Sequence, residues 1–253
     1  MPELSVITVN LNNAIGLERT IKSVIGQTFT NFEFIVIDGN SIDGSKDVIK
    51  KYSANISKWK SETDTGIYNA MNKGINMAEG EYCLFLNSGD VICYPDTLAT
   101  VFAKKLSEDI VYGNMFIEDI KGARTEGKMP DVITLEQLIR DTIWHPVSFI
   151  KKALFEKFGY YREDLKIVSD YDFFFKNIII NHVSTKHLNL PVAVFRIDGM
   201  SSNPENTEQI KRERKAVQEQ YLDRKIIAEV KSKLKNLEKT PSTFDKIRRW
   251  FRF

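Results

Sequence analysis

The first hundred residues alternate between two hydrophobic periodicities. Leu4-Ser5-Val6-Ile7-Thr8-Val9-Asn10 is a short β-branched run of the kind that fits a strand buried on both faces. Residues 16–27 come next, with Leu17, Ile21, Val24 and Ile25 at helical spacing, and predict an amphipathic helix. The pair repeats as Phe32-Glu33-Phe34-Ile35-Val36-Ile37-Asp38 and a helix that starts near Ser45. A third strand is predicted over residues 56–60, a helix over 67–78 and a fourth strand over 82–86. Strand and helix in alternation imply right-handed βαβ units, hence an α/β fold with a mostly parallel central sheet and flanking helices.

After Asp90 the rhythm changes. Residues 110–114 read as a strand, and segments 115–119 and 124–128 flank Lys121-Gly122-Ala123 as a hairpin would. Helices are predicted over 134–141 and 169–181, and strands over 147–150 and 192–197. Residues 205–237 form one long, charged helical stretch, which Pro241 ends, and 244–253 is a short basic and aromatic helix candidate. The division expected is a main domain over 1–204 and a helical, basic appendage over 205–253. No internal repeat or low-complexity segment interrupts it.

In open α/β sheets ligands bind beyond the carboxyl ends of the strands. Polar residues gather at those ends: Asn10 and Asn12, then Asp38, Asn40 and Asp43, then Asp64, then Asn87 and Asp90. Loops are polar in most proteins, so no single group identifies a site. Four strands that deliver acids and amides to one edge make a stronger case.

Composition narrows the class. The chain has 253 residues, 42% hydrophobic and 28% charged, ordinary values for a globular protein with its own core. Cys83 and Cys93 offer neither a disulfide framework nor a metal-binding spacing, and fit a reducing compartment. The opening residues lack a basic lead and a small-residue cleavage pattern, and no run approaches the ~20 apolar residues of a membrane span. A cytoplasmic location is therefore expected. The net charge of +2 conceals an asymmetry: residues 205–253 hold 14 Lys and Arg against 8 Asp and Glu, while the residues before them are net acidic. An acidic body lacking any nucleic-acid-binding motif argues against nucleic acid as a partner. Ile247-Arg248-Arg249-Trp250-Phe251-Arg252-Phe253 mixes cations with aromatics and suits an anionic membrane surface, which would make the protein peripheral on the inner face of the membrane.

The residues after the first strand exclude two nucleotide-binding classes. There is no Gly-x-Gly-x-x-Gly turn and no Walker lysine motif. Nor is there the Gly-rich, Arg–Lys loop of an enzyme that makes sugar nucleotides. An acid-rich edge repels a bare diphosphate unless a cation stands between them. Carboxylate and amide oxygens suit Mg²⁺ or Mn²⁺, which bind through one or two carboxylates plus substrate phosphates. Asn87-Ser88-Gly89-Asp90, straight after a strand, is the platform for it.

Several motifs in order resemble family 2 glycosyltransferases over roughly residues 3–200. They are Ser5-Val6-Ile7-Thr8-Val9-Asn10, Val24-Ile25-Gly26-Gln27-Thr28-Phe29 and the run from Val36 to Gly44 (Val-Ile-Asp-Gly-Asn-Ser-Ile-Asp-Gly). Asp64-Thr65-Gly66-Ile67-Tyr68-Asn69-Ala70-Met71-Asn72-Lys73-Gly74 and Phe85-Leu86-Asn87-Ser88-Gly89-Asp90 complete the set. The resemblance implies a GT-A fold, an inverting reaction, and a nucleotide-diphosphate sugar as donor, with UDP the expected carrier. It implies a saccharide or lipid-linked saccharide acceptor, as in surface-polysaccharide assembly. By the same resemblance Thr8 and Asn10 line the nucleoside pocket, Asp38 accepts from the base, and Asp64 sits beside base or ribose. Asn72, Lys73, Asn87 and Ser88 join the donor-binding set. Asp90 is the metal carboxylate; Asn87 and Gly89 stand where relatives commonly carry further aspartates, so a metal is expected to depend on the donor diphosphate.

An inverting transfer needs a base for the acceptor hydroxyl. The resemblance puts Asp170 in that role, with Asp172 as runner-up; at the start of a helix an aspartate also serves simply as a cap. His145 in Trp144-His145-Pro146 falls on the acceptor side without a definite role. Gly199-Met200-Ser201-Ser202 is a candidate loop over the donor. A catalytically inactive relative that only binds sugar nucleotides is the alternative that the thinned Asn87–Asp90 motif keeps open.

Overall fold

The computed structural model describes residues 1–197, 199 and 202–237. The basic and aromatic segment 244–253 and two residues of the 199–202 loop, Met200 and Ser201, lie outside the described residues.

The βαβ alternation is present from the first residues. Strands β1 (Leu4–Asn10), β2 (Phe32–Asp38), β3 (Lys58–Ser61) and β4 (Tyr82–Phe85) alternate with helices α1 (Ala14–Ile25), α2 (Ser45–Lys51) and α3 (Ile67–Met77). The later elements are β5 (Val91–Ile92), α4 (Thr97–Phe102), β6 (Ile110–Glu118), β7 (Arg124–Gly127), α5 (Leu135–Arg140) and β8 (Ser148–Lys151). They continue as α6 (Lys152–Phe158), α7 (Ser169–Phe175), β9 (Thr185–Arg196), α8 (Thr207–Tyr221) and α9 (Arg224–Leu237). Among the described residues the strands form one sheet in the order β3-β2-β1-β4-β8-β6-β9-β5, with β7 paired to β6. Pairing is parallel from β3 to β4; β8 then enters antiparallel to both β4 and β6, and β9 runs parallel to β6.

Strand alternation sends side chains into two cores. Ile7 and Val9 of β1 join Tyr68, Met71 and Ile75 of α3 beneath one face, with residues of α5 to α9. Leu4 and Val6 join Leu17, Ile21 and Val24 of α1 and Leu98, Val101 and Phe102 of α4 beneath the other. Complete burial of each such side chain contributes roughly 1.5–3 kcal/mol. Helix α3 packs close because Gly74 lacks a side chain: a Cβ there would stand 2.4 Å from Ile7 Cγ2.

Several elements differ from the pattern-based expectation. The 205–237 stretch is two helices, because Leu222 adopts extended backbone and Asp223 Oδ1 caps the next helix at Lys225 N (2.7 Å). The 169–181 helix ends as α helix at Phe175 and continues as a π turn over Lys176–Ile180. Strand β9 begins seven residues before the expected 192, since its polar first half pairs with β6. The short β5, α4 and α6 carry too little periodicity to be read from sequence. Helix α8 packs on α7 and buries Val217 and Gln218 in the body.

Candidate active site

Parallel register assembles the first part of the polar edge. Asn10 lies opposite Asp38, and Asp38 opposite Ser61, at the carboxyl ends of β1, β2 and β3. Their side chains consequently meet. Asp38 Oδ1 accepts from Asn10 Nδ2 (2.8 Å) and Ser41 Oγ (2.5 Å), and Oδ2 accepts from Ser41 N (3.0 Å) and Ser61 Oγ (2.6 Å). Burial pushes the Asp38 carboxyl up, but these donors outweigh it and hold it below the ordinary carboxylate range. Four protein donors match the four lone-pair positions of a carboxylate, and Asp38 has no exposed surface. Thr8 Oγ1 and Asn10 Oδ1 are buried here without a hydrogen-bond partner.

The turn Asn87–Asp90 is fixed by β1 and α1. Leu86 N and Ser88 N donate to Ile7 O and Val9 O, prolonging the β1–β4 pairing past Phe85. Gly89 takes φ +112°, a conformation that disfavours any side chain. Its N–H donates to Thr20 Oγ1 (2.9 Å), and that hydroxyl donates to Asp90 O (2.7 Å). Asn13, the N-cap of α1, donates to Ser88 O (2.9 Å). Asp90 is 4% exposed, and its Oδ2 accepts from Asn87 N (3.2 Å). The Asn87 amide donates from Nδ2 toward His145 Nε2 (3.2 Å), while its Oδ1 is buried without a partner.

The facing wall comes from α7, whose first turn carries Asp170. Tyr68, at the start of α3, places its hydroxyl 2.6 Å from Ile167 O and 2.9 Å from Asp170 Oδ1. His145 Nδ1 lies 3.4 Å from Asp170 Oδ2. Burial raises the Asp170 carboxyl; the imidazole, the tyrosine O–H and the Tyr171 N–H together outweigh that and hold it below the usual range. Burial and the adjacent Asp170 charge push the Tyr68 phenol well up, so it remains a donor. His145 thus spans the two walls, with Asn87 on one ring nitrogen and Asp170 on the other.

One cavity of about 460 Å³ contains Asn87, Ser88, Asp90, His145 and Asp170. The remaining residues expected at the site lie off this cavity. Asp64 is ion-paired with Lys73 (2.5 Å), which also contacts Glu62 (3.0 Å). Asn72 is a clamp: it donates to Tyr161 O and Glu163 Oε1 (2.9 Å each) and accepts from Tyr161 N (3.0 Å). Asp172 is 4% exposed and faces Tyr221 (3.1 Å) and Arg162 (3.5 Å) on the far side of α7. Burial raises its carboxyl despite those partners.

Sequence reasoning missed Tyr68 as a site residue, and the cations Arg140, Lys166, Arg196, Lys211 and Arg214 that line the same cavity. Tyr68 reads as one member of an apolar helical stripe, and nothing local signals a partner 102 positions away. Among the described residues no group of three or more His, Cys, Asp or Glu side chains could by itself hold a metal ion. Asp90 and the unpartnered Asn87 Oδ1 are hard oxygen donors, a set that fits Mg²⁺ or Mn²⁺ only when a substrate supplies further oxygens.

Comparison with known proteins agrees with this architecture. TarS 1-349 of S. aureus in complex with UDP superposes with a TM-score of 0.67 at 24% identity, spanning 86% of this chain and 65% of that one. The mannosyltransferase PcManGT of Pyrobaculum calidifontis, in complex with GDP-Man and Mn²⁺, gives a TM-score of 0.59 at 16% identity over 79% of this chain and 58% of that one. The fold is that of GT-A glycosyltransferases. A PGL/p-HBAD biosynthesis glycosyltransferase of Mycobacterium tuberculosis is 29% identical over 209 residues, 80% of each chain. An uncharacterized glycosyltransferase of the same species is 32% identical over 183 residues, 71% of this chain and 70% of its own length. The model of glycosyl transferase family 2 matches residues 5–167, and the chain belongs to that family.

Proposed function

We propose that this protein transfers a sugar from a UDP-sugar to a hydroxyl of a saccharide or lipid-linked saccharide acceptor, with inversion at the anomeric carbon. The observation that carries the reading is the cavity that holds both Asp90 and Asp170, bridged through Asn87 and His145. UDP as the carrier is supported by TarS structures in complex with UDP and UDP-GlcNAc. Use of a divalent metal is supported by PcManGT with Mn²⁺.

The chemistry follows from the groups present. Asp170, ionised because its carboxyl is held low, accepts the proton of the acceptor hydroxyl as that oxygen attacks the anomeric carbon. Tyr68 and His145 hold the carboxylate in position. The bond to the diphosphate breaks on the opposite side, which inverts the configuration. Asp90 and Asn87 Oδ1 would hold Mn²⁺ or Mg²⁺ together with the donor phosphates. What the ion supplies, when bound, is neutralisation of the charge on the leaving diphosphate. The nucleoside is assigned to the β1–β2 edge beside Thr8, Asn10 and Asp64, where Asp38 positions Asn10 and the 39–41 turn. A role in surface-polysaccharide assembly, at the inner face of the membrane, completes the reading; among the described residues no helix is long and apolar enough to cross a membrane.

The test is a panel of nucleotide sugars scored for UDP release with and without Mn²⁺. One UDP-sugar is expected to be turned over in the presence of the metal, and Asp90→Ala is expected to abolish turnover. Binding of the nucleotide sugars without turnover, with or without acceptors, would indicate a binding protein and overturn the proposal.

A further inference from the structure

The side of the cavity formed by α8 is cationic, and nothing in the transfer chemistry just described uses it. Thr207, Ile210, Lys211 and Arg214 all line the cavity, and their spacing of three, one and three places them on one face of α8. Lys166 reaches the same cavity from the loop that leads into α7. Glu213 binds these two elements together: its carboxylate accepts from the N–H groups of Lys166 (3.1 Å), Ile167 (3.0 Å) and Val168 (3.2 Å). The backbone from which the cations project is thereby held in fixed relation to Asp170, two residues beyond Val168.

Arg214 is anchored by contacts of its own. Its guanidinium lies over the Tyr171 ring, 4.5 Å from the centroid, with Nη2 3.7 Å from Asp141 Oδ1. The ring is itself fixed, since the Tyr171 hydroxyl donates to Leu138 O (2.9 Å) and accepts from Gln218 Nε2 (2.9 Å). Stacking leaves the planar fork oriented for an oxyanion with little loss of freedom on binding. Around the cavity as a whole, Arg140, Lys166, Arg196, Lys211 and Arg214 outnumber Asp90, Asp141 and Asp170. Glu208 beside Lys211 (2.7 Å) and Asp141 beside Arg214 (3.7 Å) answer part of that charge, and a diphosphate at Asp90 would answer more, but Lys166, Lys211 and Arg214 stand on the α7–α8 side of the cavity with the base.

We infer that Lys166, Lys211 and Arg214 form an anion subsite for a phosphate group carried by the acceptor, separate from the donor diphosphate at Asp90. This deepens the proposed transfer reaction and rests on it. The subsite would present the acceptor hydroxyl to Asp170 by gripping the phosphate next to it, which selects phosphorylated or phosphate-bridged saccharides over neutral ones.

Calorimetry on the full chain saturated with UDP and Mn²⁺ tests the inference, with inorganic phosphate and dimethyl phosphate as probes of a terminal and a bridging phosphate. At least one probe is expected to bind on top of UDP. Lys211→Gln and Arg214→Gln are expected to weaken it by about tenfold or more, as removal of a charged hydrogen-bonding partner does, while UDP affinity is retained. Lys211 is exposed and pairs with Glu208 on its own helix, so its variant keeps the test valid where loss of the Arg214 stacking disturbs folding. If UDP binds and neither probe does, or if the variants leave probe affinity unchanged, the inference fails; if both variants lose UDP instead of the probe, the cations belong to the donor and it fails as well. Failure of UDP itself to bind would overturn the proposed function.

Discussion

Replacement of Asp170 by asparagine removes a proton acceptor and little else. The amide is isosteric, and its oxygen can still accept from the Tyr68 hydroxyl, 2.9 Å from Oδ1 in the native site. The His145 side is more sensitive. With Asn87 Nδ2 donating to Nε2, the imidazole hydrogen rests on Nδ1 and points to Asp170 Oδ2 at 3.4 Å. In Asp170→Asn an amide N–H₂ in place of Oδ2 would face another donor, costing about 1–3 kcal/mol unless the ring exchanges tautomer and the Asn87 amide turns over. Stability should therefore fall by about that amount or less. Catalysis should fall much further, because loss of a positioned base typically costs ~10²–10⁴ in rate, or about 3–5 kcal/mol of transition-state free energy. In the proposed arrangement the donor diphosphate is anchored at Asp90 and not at Asp170, so UDP affinity should be retained. Steady-state kinetics, calorimetry with UDP and thermal denaturation separate these effects. A kcat within about tenfold of the native value would refute the base assignment; so would a loss of UDP affinity in step with kcat, which would make Asp170 part of the donor site.

Three further outcomes follow from the same geometry. Asp172→Asn should leave transfer intact; the amide keeps an oxygen to accept from Tyr221, so stability should change by no more than about 1–3 kcal/mol at neutral pH. Its carboxyl is raised by burial, so the stabilisation it gives is present below its unfolded value and lost as pH rises; its partner Arg162 keeps Asp164 at 2.6 Å. A collapse of activity in this variant would make Asp172 the base. For Asp170 the sign is opposite: a depressed carboxyl is ionised at neutral pH, and its contribution is lost only as pH falls through the folded value. The kcat/KM profile should thus show no acid limb attributable to it above about pH 5, the ordinary carboxylate range lying near 4; a limb near pH 6 that disappears in Asp170→Asn would contradict this. Mn²⁺ should bind the UDP complex far more tightly than the free protein, since Asp90 is the one carboxylate of the motif. Tight binding without nucleotide, by calorimetry, would require further ligands.

The fold was legible where neighbours in sequence decide the structure. Short apolar runs and period-3.6 stretches from Leu4 to Phe85 give the βαβ series, and the parallel pairing of β1, β2 and β3 aligns Asn10, Asp38 and Ser61. The Asn87–Asp90 turn and Asp170 were legible as motifs. Their relation was not: the contact of Asn87 with His145 spans 58 positions, and depends on β8 entering antiparallel beside β4. The cationic wall was hidden because Lys211 and Arg214 read as two charges among many on a solvated helix. It becomes a site only when Glu213 docks α8 on the 166–168 loop. Asp38, Asn72 and Lys73 show the converse limit, since matched motif residues turn out to be committed to protein partners.

The stereochemistry of transfer tests the central claim most directly. A base on Asp170, opposite a diphosphate held at Asp90, permits one displacement and therefore one inversion. Proton NMR of the product formed from an α-linked UDP-sugar should show a β-configured anomeric centre. An α-configured product would mean retention, and would contradict the assignment of Asp170 as the base of a single displacement.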